Sequence, residues 1–204
     1  MWQNKGMIEF PQSHPIEIIP YQSRWVEEFR QIGTELRQAL GETAVRIDHI
    51  GSTAVPDLPA KDIIDIQVTV TELHDPAIAA KLTGYGFRLR EDIRRDNYLG
   101  IANPDSADLE KRYGREKEGS RRSHIHIRQD GRFNQRYPLL FRDYLRAHDI
   151  MRQGYATIKT RLAEIFPNSI DGYLYIKDPV MDMMYAAAQD WALTVNWQPD
   201  EAYL

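Results

Sequence analysis

Apolar residues recur along this chain in two periods, and the period changes near Gly131. Before it, short alternating runs surround one strong helical stripe. Trp25, Phe29, Ile32, Leu36 and Leu40 fall three and four residues apart, which puts them on one helix face, and Ser23 stands where an N-cap is expected. "IEIIPY" at 16–21 predicts a short strand ended by Pro20. "AVRIDHI" at 44–50 alternates and predicts a second strand. "DIIDIQVTV" at 62–70 is the clearest strand pattern in the chain. A modest helix is expected over 76–83, and "GFRLR" and "NYLGIAN" read as paired strands about a charged turn. Residues 104–123 read as irregular, and "SHIHIR" at 123–128 as a short alternating strand.

After Gly131 the spacing turns helical. Tyr137, Leu140, Phe141, Tyr144, Leu145 and His148 make one stripe; Met151, Tyr155, Ile158, Leu162 and Ile165 make a second, stopped by Pro167. A third helix is expected through "YLYIKDPVMDMMYAAAQDWAL", bent or restarted at Pro179. The expected fold is α+β: a mixed sheet followed by a helical hairpin and a third helix. The expected organisation is an arm at 1–15 and a single domain at 16–204, with the sheet core at about 16–130 and the helices at about 133–195. The stripe of Phe141, Tyr144, Leu145 and His148 is expected to pack on the sheet's apolar face, leaving a cleft between sheet and helices.

Composition bounds the function. The 204 residues suffice for a core without staples, and 42% hydrophobic with 27% charged residues is ordinary for a globular protein. No apolar run is long enough to span a membrane, and the first 15 residues lack a signal peptide's basic flank and apolar core. With no cysteine there is no disulfide, thiolate zinc site or cysteine nucleophile, which points to a reduced, cytoplasmic setting. The net charge of −4 argues against general nucleic-acid binding.

The candidate chemistry gathers in "HIGSTAVPDLPAKDIIDIQV" at 49–68. An acid inside a strand that otherwise reads as buried is unusual. Strand alternation sets Ile63, Asp65 and Gln67 on one face and Asp62, Ile64 and Ile66 on the other. Asp65 and Gln67 therefore point together, and a carboxylate beside an amide oxygen could hold a hard cation such as Mg²⁺, less firmly than two carboxylates would. Gly51 lets an anion approach the backbone, Ser52 adds a hydroxyl and N–H groups if it opens a helical turn, and Lys61 adds a charge. Taken singly, Gly-Ser is an ordinary tight turn and Lys61 a surface lysine; their combination with Asp65 makes the site.

Elsewhere, His124 and His126 share a strand face and could ligate a metal or donate to a phosphate, or stand as exposed imidazoles on an edge strand. Arg142 and Arg146 face together on a helix. Arg142 could fork onto phosphate oxygens, or pair with Asp143 or Asp149. "KRYGREKEGSRR" at 111–122 is a solvated loop or a flap over a phosphate-rich ligand. Tyr173 could stack on a base, or simply pack in the helical hairpin.

"HIGSTAVPDLPAKDIIDI" resembles the GrpB-like proteins of the nucleotidyltransferase superfamily typified by DNA polymerase β. The resemblance continues in "SHIHIR", "LLFRDYLRAHD", "YATIKTRLA" and "DGYLYIKDPVMDMM". It implies a nucleotidyltransferase-like sheet core and transfer of a nucleoside monophosphate from a nucleoside triphosphate to a small-molecule acceptor, with Mg²⁺ or Mn²⁺ as cofactor. Carried onto this chain, it implies Asp65, Ser52 and His126 in catalysis. It implies Gly51, Ser52, Lys61, Arg142, Lys159 and Lys177 on the phosphates, and Asp65, Gln67 and His124 on the metal. Gln67 stands where the superfamily has a second metal-binding Asp. The alternatives are a nucleotide- or phosphate-binding module that has lost the chemistry, and a metal phosphohydrolase built on Asp65, His124 and His126.

Overall fold

Five strands, β1 (Ala44–Ile50), β2 (Ile64–Val70), β3 (Arg88–Leu89), β4 (Arg112–Arg115) and β5 (Ser123–Gln129), form one mixed sheet. Their order is β1-β2-β5-β4-β3 in the computed structural model, which describes residues 8–100, 103 and 105–200. The central pair, β2 and β5, is parallel, and every other pairing is antiparallel. Helices α1 (Arg24–Leu40) and α2 (Pro76–Gly84) are interleaved with the strands, and α3 (Phe133–Ala147), α4 (Asp149–Ile165) and α5 (Ile170–Val195) follow them. This is the expected α+β class.

The period-two alternation divides β2 and β5 between two environments. Ile64, Ile66, Val68 and Val70 of β2 and Ile125 and Ile127 of β5 join Trp25, Phe29, Leu36 and Leu40 of α1 and Ile78 and Leu82 of α2 in one buried core. Each such aliphatic side chain, fully withdrawn from water, contributes about 1.5–3 kcal/mol. The opposite face carries Asp65, Gln67 and Thr69 of β2 and His124, His126 and Arg128 of β5. A second core joins Tyr137, Leu140, Phe141, Tyr144 and Leu145 of α3 to Tyr155 of α4, Tyr185 and Ala188 of α5, and Val55 and Leu58 of the β1–β2 loop. The stripe on α3 therefore does not cover the sheet's apolar face, contrary to the expectation from its sequence. That face is taken by α1 and α2, and α3 lies toward the polar one.

Several local expectations change. The strand expected at 16–21 is reduced to a single bridge between Ile19 and Ala60. Pro15 and Pro20 bring no N–H to a ladder, and Ile16 N donates instead to Pro167 O at 2.8 Å. The described part of the N-terminal arm is fastened to the corner between α4 and α5, where Ser13 N donates to Asn168 O and Ser169 Oγ to Pro11 O. Ser23 precedes α1 but has helical backbone angles and makes no capping bond. β3 pairs with β4 rather than with "NYLGIAN", of which Ile101 and Ala102 lie outside the described residues. β4 arises inside the charged run read as irregular. Ion pairs fasten much of that run: Lys111 to Asp96, Lys117 to Glu35, and Arg121 to Glu28 and Asp62. Ile165, assigned to the second stripe, is 66% exposed. α5 runs through Pro179 as one helix. Among the described residues, no helix is long and apolar enough to cross a membrane.

A candidate phosphate and metal site in the cleft

A cleft of about 540 Å³ lies between the polar sheet face and the C-terminal helices. β1 ends at Ile50, whose partner across the ladder is Asp65. The chain then reverses through Gly51, at φ 70°, into a 3-10 turn, Ser52–Ala54. A Cβ at Gly51 would lie 2.5 Å from Asp65 Oδ2, so only glycine lets the turn come this close to the carboxylate. Helix α3 holds the turn from behind. Arg142 Nη1 donates to His49 O at 3.0 Å, and Arg146 donates from Nη2 to Ala54 O at 2.7 Å and from Nε to the same oxygen at 3.1 Å.

Lysines from three elements converge on the turn. Lys159 of α4 is 2% exposed, and its Nζ donates to Ser52 Oγ at 2.8 Å and to Pro59 O at 2.5 Å. Burial, then the neighbouring charges of Lys177 and Lys61, lower its pKa to about 7 against the pull of Asp65. Lys61 sits 5.6 Å above the Tyr173 ring, and burial lowers its pKa too. Neither lysine is ion-paired to a carboxylate among the described residues. Lys177 also lines the cleft but donates to Asp178 Oδ1 at 2.9 Å.

The other wall is acidic and imidazole-bearing. Parallel pairing sets Asp65 opposite His124 and Gln67 opposite His126. Asp65 Oδ1 lies 3.0 Å from His124 Nδ1 and 4.0 Å from His126 Nε2, and one ligating atom from each of the three falls within 4.8 Å of the others. Burial pushes the Asp65 carboxyl up. The His124 hydrogen bond and the charges of His124, His126 and Lys61 outweigh it and hold the pKa at about 2. His126 is driven well below its ordinary value by burial and then by Arg128 and Lys111.

The remaining expected residues have other partners. Gln67 faces the same side as Asp65 but is 0% exposed. Its Oε1 accepts from Arg128 Nη1 at 2.9 Å and its Nε2 donates to Gln135 O at 2.9 Å, so the expected metal ligand is a strut between β5 and α3. Arg142 does not extend toward an anion. Its Nε and Nη2 donate to Asp143 and its Nη1 to His49 O near the end of β1, so it fixes the strand that leads into Gly51 and Ser52. Tyr173 is buried under Lys61 rather than presented to a base.

Residues 15–187 match the GrpB protein family. The chain belongs to that family. A dephospho-CoA kinase of Mycolicibacterium paratuberculosis is 33% identical over 207 residues, taking in 91% of this chain and 49% of the relative. The UPF0157 protein YqkA of Bacillus subtilis is 31% identical over 176 residues, 86% of this chain and 48% of the relative. The chain spans about half the length of these curated relatives. The crystal structure of conserved protein GrpB from Enterococcus faecalis superposes with a TM-score of 0.71 at 31% identity, covering 87% of this chain and 99% of that one.

Sequence reading missed a buried group in the wall of this GrpB-family cleft. Asp96 accepts from Lys111 Nζ at 2.6 Å, from Arg128 Nε at 2.9 Å and from Asn134 Nδ2 at 3.1 Å. Arg128 was legible, since it continues the His124–His126 face at the same period of two. Asp96 and Lys111 were not, because each is one charged residue among several in its segment.

Proposed function

We propose that the cleft binds a nucleotide through its polyphosphate, in the manner of a nucleotidyltransferase site reduced to one acid. One observation carries the reading: Lys159, buried, and Lys61, partly buried, line the cleft with the Gly51–Ser52 turn and have no ion pair to a carboxylate among the described residues. Buried cations need a counter-charge, and an anion placed against the turn supplies it. The volume of about 540 Å³ is within the range of small-ligand sites.

The resemblance at 49–66 implies transfer of the nucleoside monophosphate to a small-molecule acceptor. Two-metal transfer needs at least two carboxylates around the ions. Asp65 supplies one, and Gln67, at the second position, is committed to Arg128 and Gln135. The donor set therefore does not fit a pair of Mg²⁺ ions, and binding is the reading favoured over transfer. A second reading, phosphate-ester hydrolysis, is favoured by the convergence of Asp65, His124 and His126; release of inorganic phosphate from a nucleoside triphosphate tests it. The kinase name of the mycobacterial relatives is not carried over. None of this chain's 12 glycines is followed by lysine, so the Gly-Lys of a phosphate-binding loop is absent from it.

Thermal unfolding with each of the four nucleoside triphosphates, in EDTA, tests the proposal. A ligand at about 100 times its dissociation constant stabilises by about 2.7 kcal/mol. Stabilisation by at least one triphosphate, lost in Lys159→Met and reduced in Ser52→Ala, is expected. No response to any of them, or an unchanged response in Lys159→Met, would overturn it.

A further inference from the structure

We propose that Asp65, His124 and His126 form a mononuclear site for a first-row transition ion, with Zn²⁺ and Co²⁺ preferred over Mn²⁺ and all three over Mg²⁺. The proposal shares the cleft with the nucleotide reading but requires no nucleotide.

The backbone register sets the three side chains together. Asp65 and His124 are direct partners across the parallel ladder, and His126, two residues on, shares their face. Metal–ligand bonds of about 2.0–2.2 Å at tetrahedral or octahedral angles place neighbouring donors about 3–3.5 Å apart. The 3.0 Å separation of Asp65 Oδ1 and His124 Nδ1 lies in that range, and the 4.0 Å separation to His126 Nε2 is slightly wider. The side chains are 28%, 24% and 16% exposed, so an ion can enter from the cleft and keep open positions facing it.

Donor chemistry decides the ion. Two imidazole nitrogens with one carboxylate oxygen suit zinc, cobalt or iron, whereas Mg²⁺ takes oxygen ligands. The structure withholds further oxygens. The other three acids lining the cleft are engaged: Asp96 by Lys111 and Arg128, Asp178 by Lys177, and Asp182 by Tyr137 Oη and Leu99 N. The carbonyl oxygen of Gln67 is held by Arg128.

Two contacts must yield: the His124 Nδ1–Asp65 Oδ1 hydrogen bond, whose atoms both turn to the ion and whose proton is released, and a contact of Arg128. Arg128 Nη2 lies 3.4 Å from His126 Nδ1, and coordination through Nε2 requires a proton on that Nδ1. The contact is at the outer limit of a hydrogen bond, and Arg128 keeps two bonds to Asp96 and one to Gln67 without it.

The test is calorimetric titration of the EDTA-stripped protein with Zn²⁺, Co²⁺, Mn²⁺ and Mg²⁺ separately, with the Co²⁺ visible absorption spectrum recorded. One equivalent of Zn²⁺ is expected to bind at least about 100-fold more tightly than Mg²⁺, and Co²⁺ to develop bands of a nitrogen-containing site. His124→Ala and His126→Gln should each weaken Zn²⁺ by at least about 10-fold, with far-UV circular dichroism unchanged. Having two variants keeps the test decisive if one fails to fold. Mg²⁺ binding as tightly as Zn²⁺, or unchanged Zn²⁺ affinity in a folded histidine variant, would overturn the proposal. Triphosphate binding in EDTA is a separate measurement, so failure of either reading leaves the other standing.

Discussion

At the scale of single residues, the site depends on how close two backbones come. Gly51 has a positive φ and faces Asp65 at a distance no Cβ allows. Gly51→Ala should therefore cost about 1–3 kcal/mol in chemical denaturation and also abolish triphosphate stabilisation, because the turn must withdraw from Asp65. A stable variant that still binds would show that the close approach is incidental. Gln67 gives a prediction in the opposite sense. Restoring an acid by Gln67→Asp should not raise Mn²⁺ affinity, since Arg128 Nη1 already occupies that position and would pair with the new carboxylate. Titration of the variant with Mn²⁺ checks this; tighter binding would return position 67 to the metal site.

At the scale of elements, α3 joins the second core to the turn. Its apolar side packs on α4, α5 and the β1–β2 loop, while Arg142 grips a carbonyl near the end of β1 and Arg146 one of the turn. Leu145 is buried in that core, and Leu145→Ala should cost about 2–5 kcal/mol. If α3 couples core to site, the same variant should weaken triphosphate binding although residue 145 carries no polar group. Destabilisation with unchanged binding would mean the turn holds its shape without α3. The long loop before β4 contributes differently: Asp96 reaches inward from it, is fixed by Lys111 and holds Arg128, which in turn holds Gln67.

At the scale of the whole molecule, burying Lys159 in the cleft has a measurable consequence for stability. The Lys159 pKa falls from its ordinary 10.5 to about 7, chiefly through burial, with Lys177 and Lys61 adding to it and Asp65 opposing. Between those values the unfolded chain holds a proton at Lys159 that the folded chain has released. Rising pH in that interval therefore favours the folded state. Below it, the contribution is a constant penalty on folding. Lys61 and Lys111 are lowered by burial as well, so the observed slope is a sum. Lys159→Met should remove up to about 1.4 kcal/mol per pH unit of that slope between about pH 7 and pH 9. Urea denaturation of both proteins across the range measures it; identical slopes would mean that Lys159 keeps its proton in the folded chain.

The sequence by itself determined the class of the fold and the seed of the site. Periods of two and of three to four located α1, β1, β2, β5 and α3, because burial on one face imposes them locally. The stretch from Gly51 to Asp65 carried its chemistry openly, since glycine, a hydroxyl and a strand acid have few other reasons to stand together. β4 was hidden because its four residues, Arg-Tyr-Gly-Arg, show no apolar alternation inside a run of charges. Gln67 and Arg142 carried the right chemistry for a ligand site, and only packing decided that their polar groups were spent on Arg128, Gln135, Asp143 and the carbonyl of His49. His126 shows the same division. Alternation set it beside His124, but only the parallel register of β5 against β2 brought both rings to Asp65, because strand pairing is a choice among distant segments that no local pattern encodes.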